Sequence, residues 1–223
     1  MSLPSVTLRG MLAFALALVL LAPASAGTND ARVPSYAAFL RTINHQLAVW
    51  QSLLYARSLL EDARRLRLDP ALLTALVTVE SGWNPSARSV HGARGLGQLM
   101  PFTAARLRVD PLSGRDNLRG TSAYLHALLV DFRNARDPIR AALAGYNIGP
   151  LYVKEAAGHV PAAARGYVAL VMHEYRHVRA HVPRTVPPPA LLELPSAEAS
   201  PRSPTGGDVG AFERRNATYW GGL

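Results

Sequence analysis

The chain contains no cysteine among its 223 residues, which excludes disulfide bonds as a source of its stability. The fold must therefore rest on helix packing, and a hydrophobic content of 49% is sufficient for a core. The same absence removes the residue that would carry a lipid anchor behind an N-terminal apolar run. The length suits one domain with accessory segments.

Long apolar runs are also scarce. The run at residues 11–21 falls short of the roughly 20 residues that a membrane-spanning helix needs. Arg9 precedes it, and Ala24-Ser25-Ala26 follows as a small-residue cleavage site, a pattern typical of a secretory signal. We expect residues 1–26 to be removed on export, which predicts a mature chain beginning near Gly27 without stable membrane insertion.

Acidic residues are fewer than basic ones, 15 against 24, which gives a formal net charge of +9. A basic surface suits polyanions such as nucleic acid, acidic phospholipid and bacterial cell wall. Nucleic acid is the weakest of these candidates because the chain is predicted to be exported and has no recognised nucleic-acid motif. We therefore expect no nucleic-acid partner.

The shortage of acids is most informative between Pro70 and Val109, where Glu80 is the only one. Asp69 and Pro70 are typical of a helix start, as a capping acceptor followed by a proline at the first helical position. The apolar residues of this helix cover more than one face, which predicts burial nearly all round. They are Leu72, Leu73, Leu76, Val77 and Val79.

Glu80 falls at the C-terminal end of that buried helix, where Gly82 stops it. An ionised carboxylate is unfavourable there unless it is paired or held protonated. Two interpretations follow from the residues alone. Glu80 is either one half of a structural ion pair with Arg88 or Arg94, or a general acid whose pKa is raised by apolar walls.

Three ordered motifs favour the second interpretation. They are Glu80-Ser81-Gly82-Trp83-Asn84-Pro85, then Gly92-Ala93-Arg94-Gly95-Leu96-Gly97-Gln98-Leu99-Met100-Pro101, and finally Ala144-Gly145-Tyr146-Asn147-Ile148-Gly149-Pro150. Together they resemble the signature of lytic transglycosylases with the soluble-transglycosylase (SLT) catalytic domain, a goose-lysozyme-like fold. The resemblance extends over residues 54–181.

The motifs depart from the family pattern at two positions. The family usually has Gly-Leu-Met-Gln where this chain has Gly97 before Gln98, and Ala-Tyr-Asn where it has Gly145 before Tyr146. Both changes remove side-chain bulk. They predict either a wider groove or a gap that is filled from elsewhere in the fold.

The resemblance implies an activity on peptidoglycan glycan strands, with one glutamate acting first as acid and then as base. It implies cleavage of the β-1,4 bond between N-acetylmuramic acid and N-acetylglucosamine to give 1,6-anhydro ends, with no metal and no cofactor. The implied site consists of Glu80 as the acid and base, Gln98 and Asn147 as hydrogen-bonding groups, Ser89 and Met100 along the groove, and Tyr146 and Tyr167 as the walls that orient Glu80.

Two other classes of function remain open at this stage. A hydrolytic lysozyme would share the fold and the glutamate but would need a placed water and, in most families, a second carboxylate. A non-catalytic wall-binding component of a secretion or conjugation machine would keep the groove without needing the acid. The expected location is the periplasm, reached through the N-terminal signal peptide.

The remaining pattern predicts an all-α, compact lysozyme-like domain. Helices are expected over 35–67 as one or two segments with Trp50 in the core, and over 101–109, 117–132, 138–146 and 161–181. Loops are expected at 110–116 and 145–150, with a small hairpin conceivable only at 84–91. Ser81 and Trp83 are interpreted as structural. His173, His177 and His181 are interpreted as solvated side chains near a helix end rather than a metal site.

The chain is expected to divide into four parts. These are the signal peptide 1–26, an N-terminal helical segment 27–53, the SLT domain 54–182 and a proline-rich flexible tail 183–223. Phe212, Tyr219 and Trp220 near the end of the tail suggest a docking peptide for a secretion or conjugation complex. The plainer alternative is an unstructured terminus.

Overall fold

The computed structural model describes residues 31–183, so the predicted signal peptide and the tail beyond Pro183 lie outside the described residues. Within this part of the chain there are eight α-helices and no strand, which confirms the all-α prediction. The helices are α1 Val33–Ile43, α2 Val49–Leu66, α3 Pro70–Ser81, α4 Pro101–Leu107, α5 Gly114–Asp131, α6 Pro138–Ile148, α7 Pro150–Glu155 and α8 Arg165–His181. A short 3-10 helix, Ala162–Ala164, precedes α8. None of these helices is long and apolar enough to cross a bilayer.

Helix α3 forms the centre of the domain. The Asp69 side chain accepts a hydrogen bond from the Ala71 amide at 2.8 Å, and Gly82 ends the helix with a φ of 55°, both as the sequence predicts. Every residue of 70–77 is buried. The amphipathic helices around it therefore enclose α3, and Glu80 lies in its last turn.

Helix α8 packs antiparallel against α3. The Tyr175 hydroxyl donates to Asp69 Oδ2 at 2.5 Å beside the start of α3, while Tyr167, two turns earlier in α8, reaches Glu80 at the end of α3. These two bonds fix the register of α8 along α3. They also bring the first turns of α8 to the candidate site.

The segment predicted as one or two helices is two, α1 and α2, and the linker 44–48 between them corrects one prediction. Trp50, expected in the core, is 66% exposed. The linker resets the helical phase, so that α2 buries Tyr55, Ala56 and Leu59 and presents Trp50 on the opposite face. Asn44 in the linker donates to the Trp83 carbonyl at 3.2 Å, which ties the linker to the end of α3.

Helix boundaries near the third motif also differ from the prediction. Helix α6 continues to Ile148, so Tyr146 and Asn147 lie in its last turn rather than in a loop. Only Gly149 separates α6 from the unpredicted α7, because its φ of 93° turns the chain and Pro150 suits a first helical position. Similarly, α5 begins at Gly114, three residues earlier than predicted, since Ser113 caps it.

No hairpin forms at 84–91 within the described chain. Isolated bridges instead join Arg88 to Arg94 and Arg94 to Leu99. The segment between α3 and α4 is therefore an irregular loop held by single backbone pairs. This loop carries the second sequence motif and lies against the end of α3.

Candidate active site

Glu80 forms the centre of the site, partly buried in the last turn of α3. The Tyr167 hydroxyl of α8 donates to Glu80 Oε1 at 2.5 Å. In the part of the chain that the structure describes, Glu80 forms no ion pair with Arg88, Arg94 or any other cation. The interpretation of Glu80 as one half of a structural ion pair therefore has no counterpart in the structure.

The surroundings of Glu80 favour its protonated form. Burial raises the pKa of the carboxyl to about 7, although the hydrogen bond from Tyr167 acts in the opposite direction by stabilising the carboxylate. A carboxyl with such a pKa is partly protonated at neutral pH. It can both give and take a proton there, which is what an acid that later acts as a base requires.

Tyr146 and Tyr167 lie close enough to Glu80 for its charge to act on both hydroxyls, and Tyr124 packs against Tyr146. The Tyr146 hydroxyl donates to the Gly97 carbonyl at 2.7 Å, and its ring lies 5.1 Å from the Tyr124 ring, centroid to centroid. Burial, and secondarily the nearby negative charge of Glu80, raise the pKa of Tyr146 and Tyr167 well above the ordinary range. Both hydroxyls therefore remain protonated hydrogen-bond donors at neutral pH. Tyr124 of α5 is a residue of this region that the sequence analysis did not assign to the site.

The loop between α3 and α4 is tied to the end of α3 through Ser81. Its hydroxyl bonds back to the Val77 carbonyl at 3.3 Å, as the sequence predicts, and also to the Leu96 carbonyl at 2.7 Å. Trp83 is fully buried, with its ring nitrogen donating to the Thr78 hydroxyl at 3.1 Å. The structural interpretation of both residues is confirmed.

The other predicted site residues lie along this loop and at the end of α6. Gln98 is nearly buried and donates through Nε2 to the Gly95 carbonyl at 2.9 Å, so that amide is directed into its own loop. The Ser89 hydroxyl accepts from the Ala93 amide at 3.0 Å and closes a turn. Met100 precedes the first residue of α4 and is partly buried, as is Asn147 beside Tyr146.

Neighbouring side chains fill the space left at the two departures from the family motifs. A Cβ added to Gly97 would lie 1.9 Å from the Thr121 hydroxyl oxygen of α5. One added to Gly145 would lie 2.9 Å from the Phe132 ring. Of the two sequence alternatives, a wider groove or a gap filled from elsewhere, the structure shows the second.

Asn117 is a polar residue of this region that the sequence analysis missed. Its side chain is fully buried in α5 and makes hydrogen bonds to three separate backbone groups of the preceding loops. The signal was available only as an amide within an otherwise apolar helix pattern. Nothing in the sequence shows which loop such an amide would contact.

The histidines of α8 lie apart from this arrangement. His177 and His181 are exposed, with their rings 5.8 and 6.1 Å from the Phe39 ring, and His177 lies 3.4 Å from Glu174. Within residues 31–183 no group of three potential ligands is placed to hold a metal ion. The exposed position of the histidines agrees with the solvated side chains that the sequence predicts.

Comparison with known proteins gives a consistent result. Residues 58–167 match the family model described as the transglycosylase SLT domain. The membrane-bound lytic murein transglycosylase F of Shewanella frigidimarina is 38% identical over 123 residues, which are 53% of this chain and 24% of that protein. The protein of the same name from Pasteurella multocida is 40% identical over 86 residues, 37% of this chain and 18% of that one.

Among solved structures, an inactive mutant of the lytic transglycosylase Slt from Pseudomonas aeruginosa is similar in fold. The TM-score is 0.50 at 21% identity, over 68% of this chain and 31% of that one. This chain spans about a quarter or less of the curated relatives named above. The matched region contains Glu80, the glycine-rich loop and Tyr167, so the resemblance seen in the motifs is confirmed: the chain carries a transglycosylase SLT domain over residues 58–167.

Proposed function

We propose that this chain is a peptidoglycan lytic transglycosylase that cleaves the bond between N-acetylmuramic acid and N-acetylglucosamine without consuming water. The observation that carries the proposal is Glu80, a single carboxyl whose pKa burial raises to about 7 and whose Oε1 accepts from Tyr167. The match to the SLT domain and the printed names of the curated relatives support the same reaction class.

In the first step Glu80 acts as the acid. Because Tyr167 donates to Oε1, the carboxyl proton resides on Oε2, which has no hydrogen-bond partner among the described residues. Oε2 gives this proton to the glycosidic oxygen. The bond from that oxygen to C1 of the muramic acid then breaks, and the N-acetylglucosamine leaves with a hydroxyl group.

In the second step the same group acts as the base. The carboxylate takes the proton of the muramic acid C6 hydroxyl while that oxygen bonds to C1, which closes the 1,6-anhydro ring and returns Glu80 to its protonated form. No water is consumed. The Tyr167 hydrogen bond stabilises the carboxylate between the two steps and holds its orientation.

The absence of a second acid at Glu80 favours this route over hydrolysis. Most glycosidases use two carboxyl groups flanking the scissile bond, one as acid and one as nucleophile or base. Among the described residues, neighbouring tyrosines rather than another acid surround Glu80, and no second carboxylate contributes to its pKa. One residue is therefore available for both proton transfers.

The remaining predicted residues are assigned to substrate binding. Ser89 and Met100 would contact the sugars along the groove, and Asn147 would hydrogen-bond the glycan from the end of α6. Gln98 would use the part of its amide that is not bonded to Gly95. Tyr146 would form a wall of the site.

The test is digestion of purified peptidoglycan followed by mass spectrometry of the released fragments. We expect fragments ending in 1,6-anhydro-muramic acid, each lighter by one water than the product of a lysozyme. Glu80→Gln should lower the rate by at least 10²–10⁴-fold, the usual contribution of one proton transfer, because its amide donates no acidic proton. Glu61→Gln, the same change at an exposed position of α2, is the control and should leave the rate unchanged.

The other two classes of function predict different products. Reducing ends in the wild-type digest would establish a hydrolase, and binding without cleavage would establish a wall-binding component. Full activity of Glu80→Gln would overturn the assignment of the catalytic residue.

We further propose that the chain acts in the periplasm after loss of residues 1–26, and that its tail contacts a secretion or conjugation complex. The sequence pattern of the leader and the aromatic residues of the tail support these two proposals. N-terminal sequencing of the protein from a periplasmic fraction tests the first. Crosslinking from Trp220 in cells tests the second.

A further inference from the structure

Residues 94–98 form a tight loop beside the catalytic carboxyl. The Leu96 carbonyl accepts from Ser81, the residue that follows Glu80, and the Gly97 carbonyl accepts from Tyr146. The amides of Arg94 and Leu99 bond to each other's carbonyls at 3.0 Å across the base of the loop. The position of this loop therefore determines what Tyr146 contacts.

Asn117 of α5 holds this loop with its whole side-chain amide. Its Oδ1 accepts from the Gly97 amide at 2.7 Å, and its Nδ2 donates to the carbonyls of Arg94 at 2.8 Å and Pro111 at 2.9 Å. The amide orientation is fixed by this pattern, because two carbonyls need a donor and one N–H needs an acceptor. A Cβ on Gly95 would lie 2.4 Å from Nδ2, so glycine is what permits the approach.

We propose that Asn117 is a positioning residue for the reaction, acting through the 94–98 loop on Tyr146 and so on Glu80. The proposal rests on the function proposed above. With the loop in place, the Tyr146 hydroxyl is bonded to the Gly97 carbonyl and is not available to Glu80. Tyr167 is then the one described donor to the carboxyl, and the proton stays on Oε2.

Loss of the Asn117 amide would undo this arrangement. Three buried backbone groups would lose their partners, which the loop can satisfy only by moving toward solvent. The Gly97 carbonyl would leave Tyr146, whose hydroxyl could then donate to Glu80 and stabilise the carboxylate. The acid would be weaker as a proton donor, although the groove residues outside the loop would remain.

The test compares Asn117→Ala with Ser122→Ala. Ser122 is equally buried in α5, but its hydroxyl donates to Leu118 of its own helix at 2.8 Å, and it does not bond to the loop. We expect Asn117→Ala to lower kcat on the order of 10²-fold, the cost of a misplaced reacting group, with a smaller change in KM. Ser122→Ala should retain the wild-type kcat after correction for the folded fraction.

A double-mutant cycle separates positioning from general destabilisation. Tyr146→Phe removes the hydroxyl that would turn to Glu80 once the loop moves, so in the Asn117→Ala background it should restore part of the lost kcat, whereas alone it should not raise kcat. The effects of Tyr146→Phe and Ser122→Ala should add. If Asn117→Ala fails to fold, Asn117→Asp takes its place, because it keeps the acceptor for the Gly97 amide while placing an oxygen against the two carbonyls.

Amide hydrogen exchange supplies a readout that does not depend on activity. Exchange at Gly97 and Leu99 should be faster in Asn117→Ala and unchanged in Ser122→Ala. Unchanged exchange in Asn117→Ala would show that Asn117 does not anchor the 94–98 loop. Faster exchange together with a wild-type kcat would overturn the positioning role while leaving the proposed function intact. If the wild-type protein cleaves no peptidoglycan, the proposed function fails, the catalytic role of Asn117 fails with it, and hydrogen exchange still decides the anchoring.

Discussion

Glu80 combines two demands that usually conflict, since it must hold a proton at neutral pH and then be stable without it. Burial supplies the first, and the Tyr167 hydroxyl supplies the second by donating to the ionised form. Because the two effects act in opposite directions, the pKa of about 7 reflects their difference. The pH dependence of both rate and stability should follow from this value.

The rate of glycan cleavage should fall at alkaline pH. Glu80 must be protonated to act as the acid, and its protonated fraction decreases about tenfold for each pH unit above a pKa of about 7. Initial rates of fragment release from peptidoglycan, measured between pH 5 and 9, give the profile. A rate that stays level up to pH 9 would show that the acid has a much higher pKa or that another group supplies the proton.

Replacing Glu80 by glutamine should stabilise the fold at neutral and alkaline pH but not at acid pH. The folded-state pKa of about 7 exceeds the ordinary 4.5, so the native state binds the proton more tightly and loses stability as pH rises from 4.5 to 7. Glutamine does not ionise, so the variant does not lose stability in this pH range. We expect Glu80→Gln to match the wild type at pH 4 and to exceed it at pH 8 by at most about 3 kcal/mol.

Urea unfolding at these two pH values measures the difference. Glu61→Gln, the same change at an exposed position of α2, serves again as the control. Equal stabilities of Glu80→Gln and the wild type at pH 8 would mean that the carboxylate is not strained in the folded state.

At the scale of elements, contact between the loop and α5 depends on the missing side chain at Gly97. Gly97→Ala should destabilise the protein by about 1–3 kcal/mol, because the new methyl group would overlap the Thr121 side chain and force the loop away from α5. Gly166→Ala on α8 is the matched control, since a Cβ there meets nothing within 4 Å. That change should raise stability slightly through helix propensity.

Thermal unfolding of both variants measures these opposite effects. Gly97→Ala should also reduce activity by shifting the carbonyl that holds Tyr146. A stability equal to that of the wild type would indicate that the loop has room to move without cost.

The sequence was informative where an element is determined by its own residues. The start and end of α3 followed from Asp69, Pro70 and Gly82, which act on their immediate neighbours. The exposure of Trp50 did not follow, because a break of a few residues between α1 and α2 changes which face is buried. Helix α6 was predicted too short because a glycine and a tyrosine resembling a loop motif are compatible with a last helical turn.

The candidate site was predictable to a similar extent. Glu80 and Tyr167 are 87 residues apart, and only the family resemblance suggested that they meet, as they do. Asn117 was missed because its partners, Arg94, Gly97 and Pro111, are brought to it by the tertiary fold. Polar contacts made across elements leave no local pattern in a single sequence.

At the scale of the whole molecule, the packed core of the described residues extends to the end of α8 and stops before the tail begins. Val182, the residue after α8, is still buried at 7% exposure, whereas Pro183 is exposed. Removal of residues 183–223 should therefore leave the melting temperature and the activity on purified peptidoglycan close to those of the full chain. The proline content of that segment gives the same expectation.

Calorimetry and peptidoglycan digestion of the shortened chain provide the measurement. A chain shortened further, at residue 174, would also lose Tyr175 and is expected to be strongly destabilised, which calibrates the assay. A large loss of melting temperature on removing 183–223 alone would show that the tail packs on the domain.

The two tyrosine–carboxylate hydrogen bonds between α3 and α8 have the same length, but only one of them involves a group that changes its protonation state in the proposed reaction. The bond between Tyr167 and Glu80 must strengthen and weaken in every turnover as the carboxyl loses and regains its proton. The bond between Tyr175 and Asp69, two helical turns away, takes no part in that exchange. The Tyr175–Asp69 bond therefore keeps α8 in register with α3. Proton transfer at Glu80 can then change the strength of the Tyr167–Glu80 bond without a shift of one helix along the other.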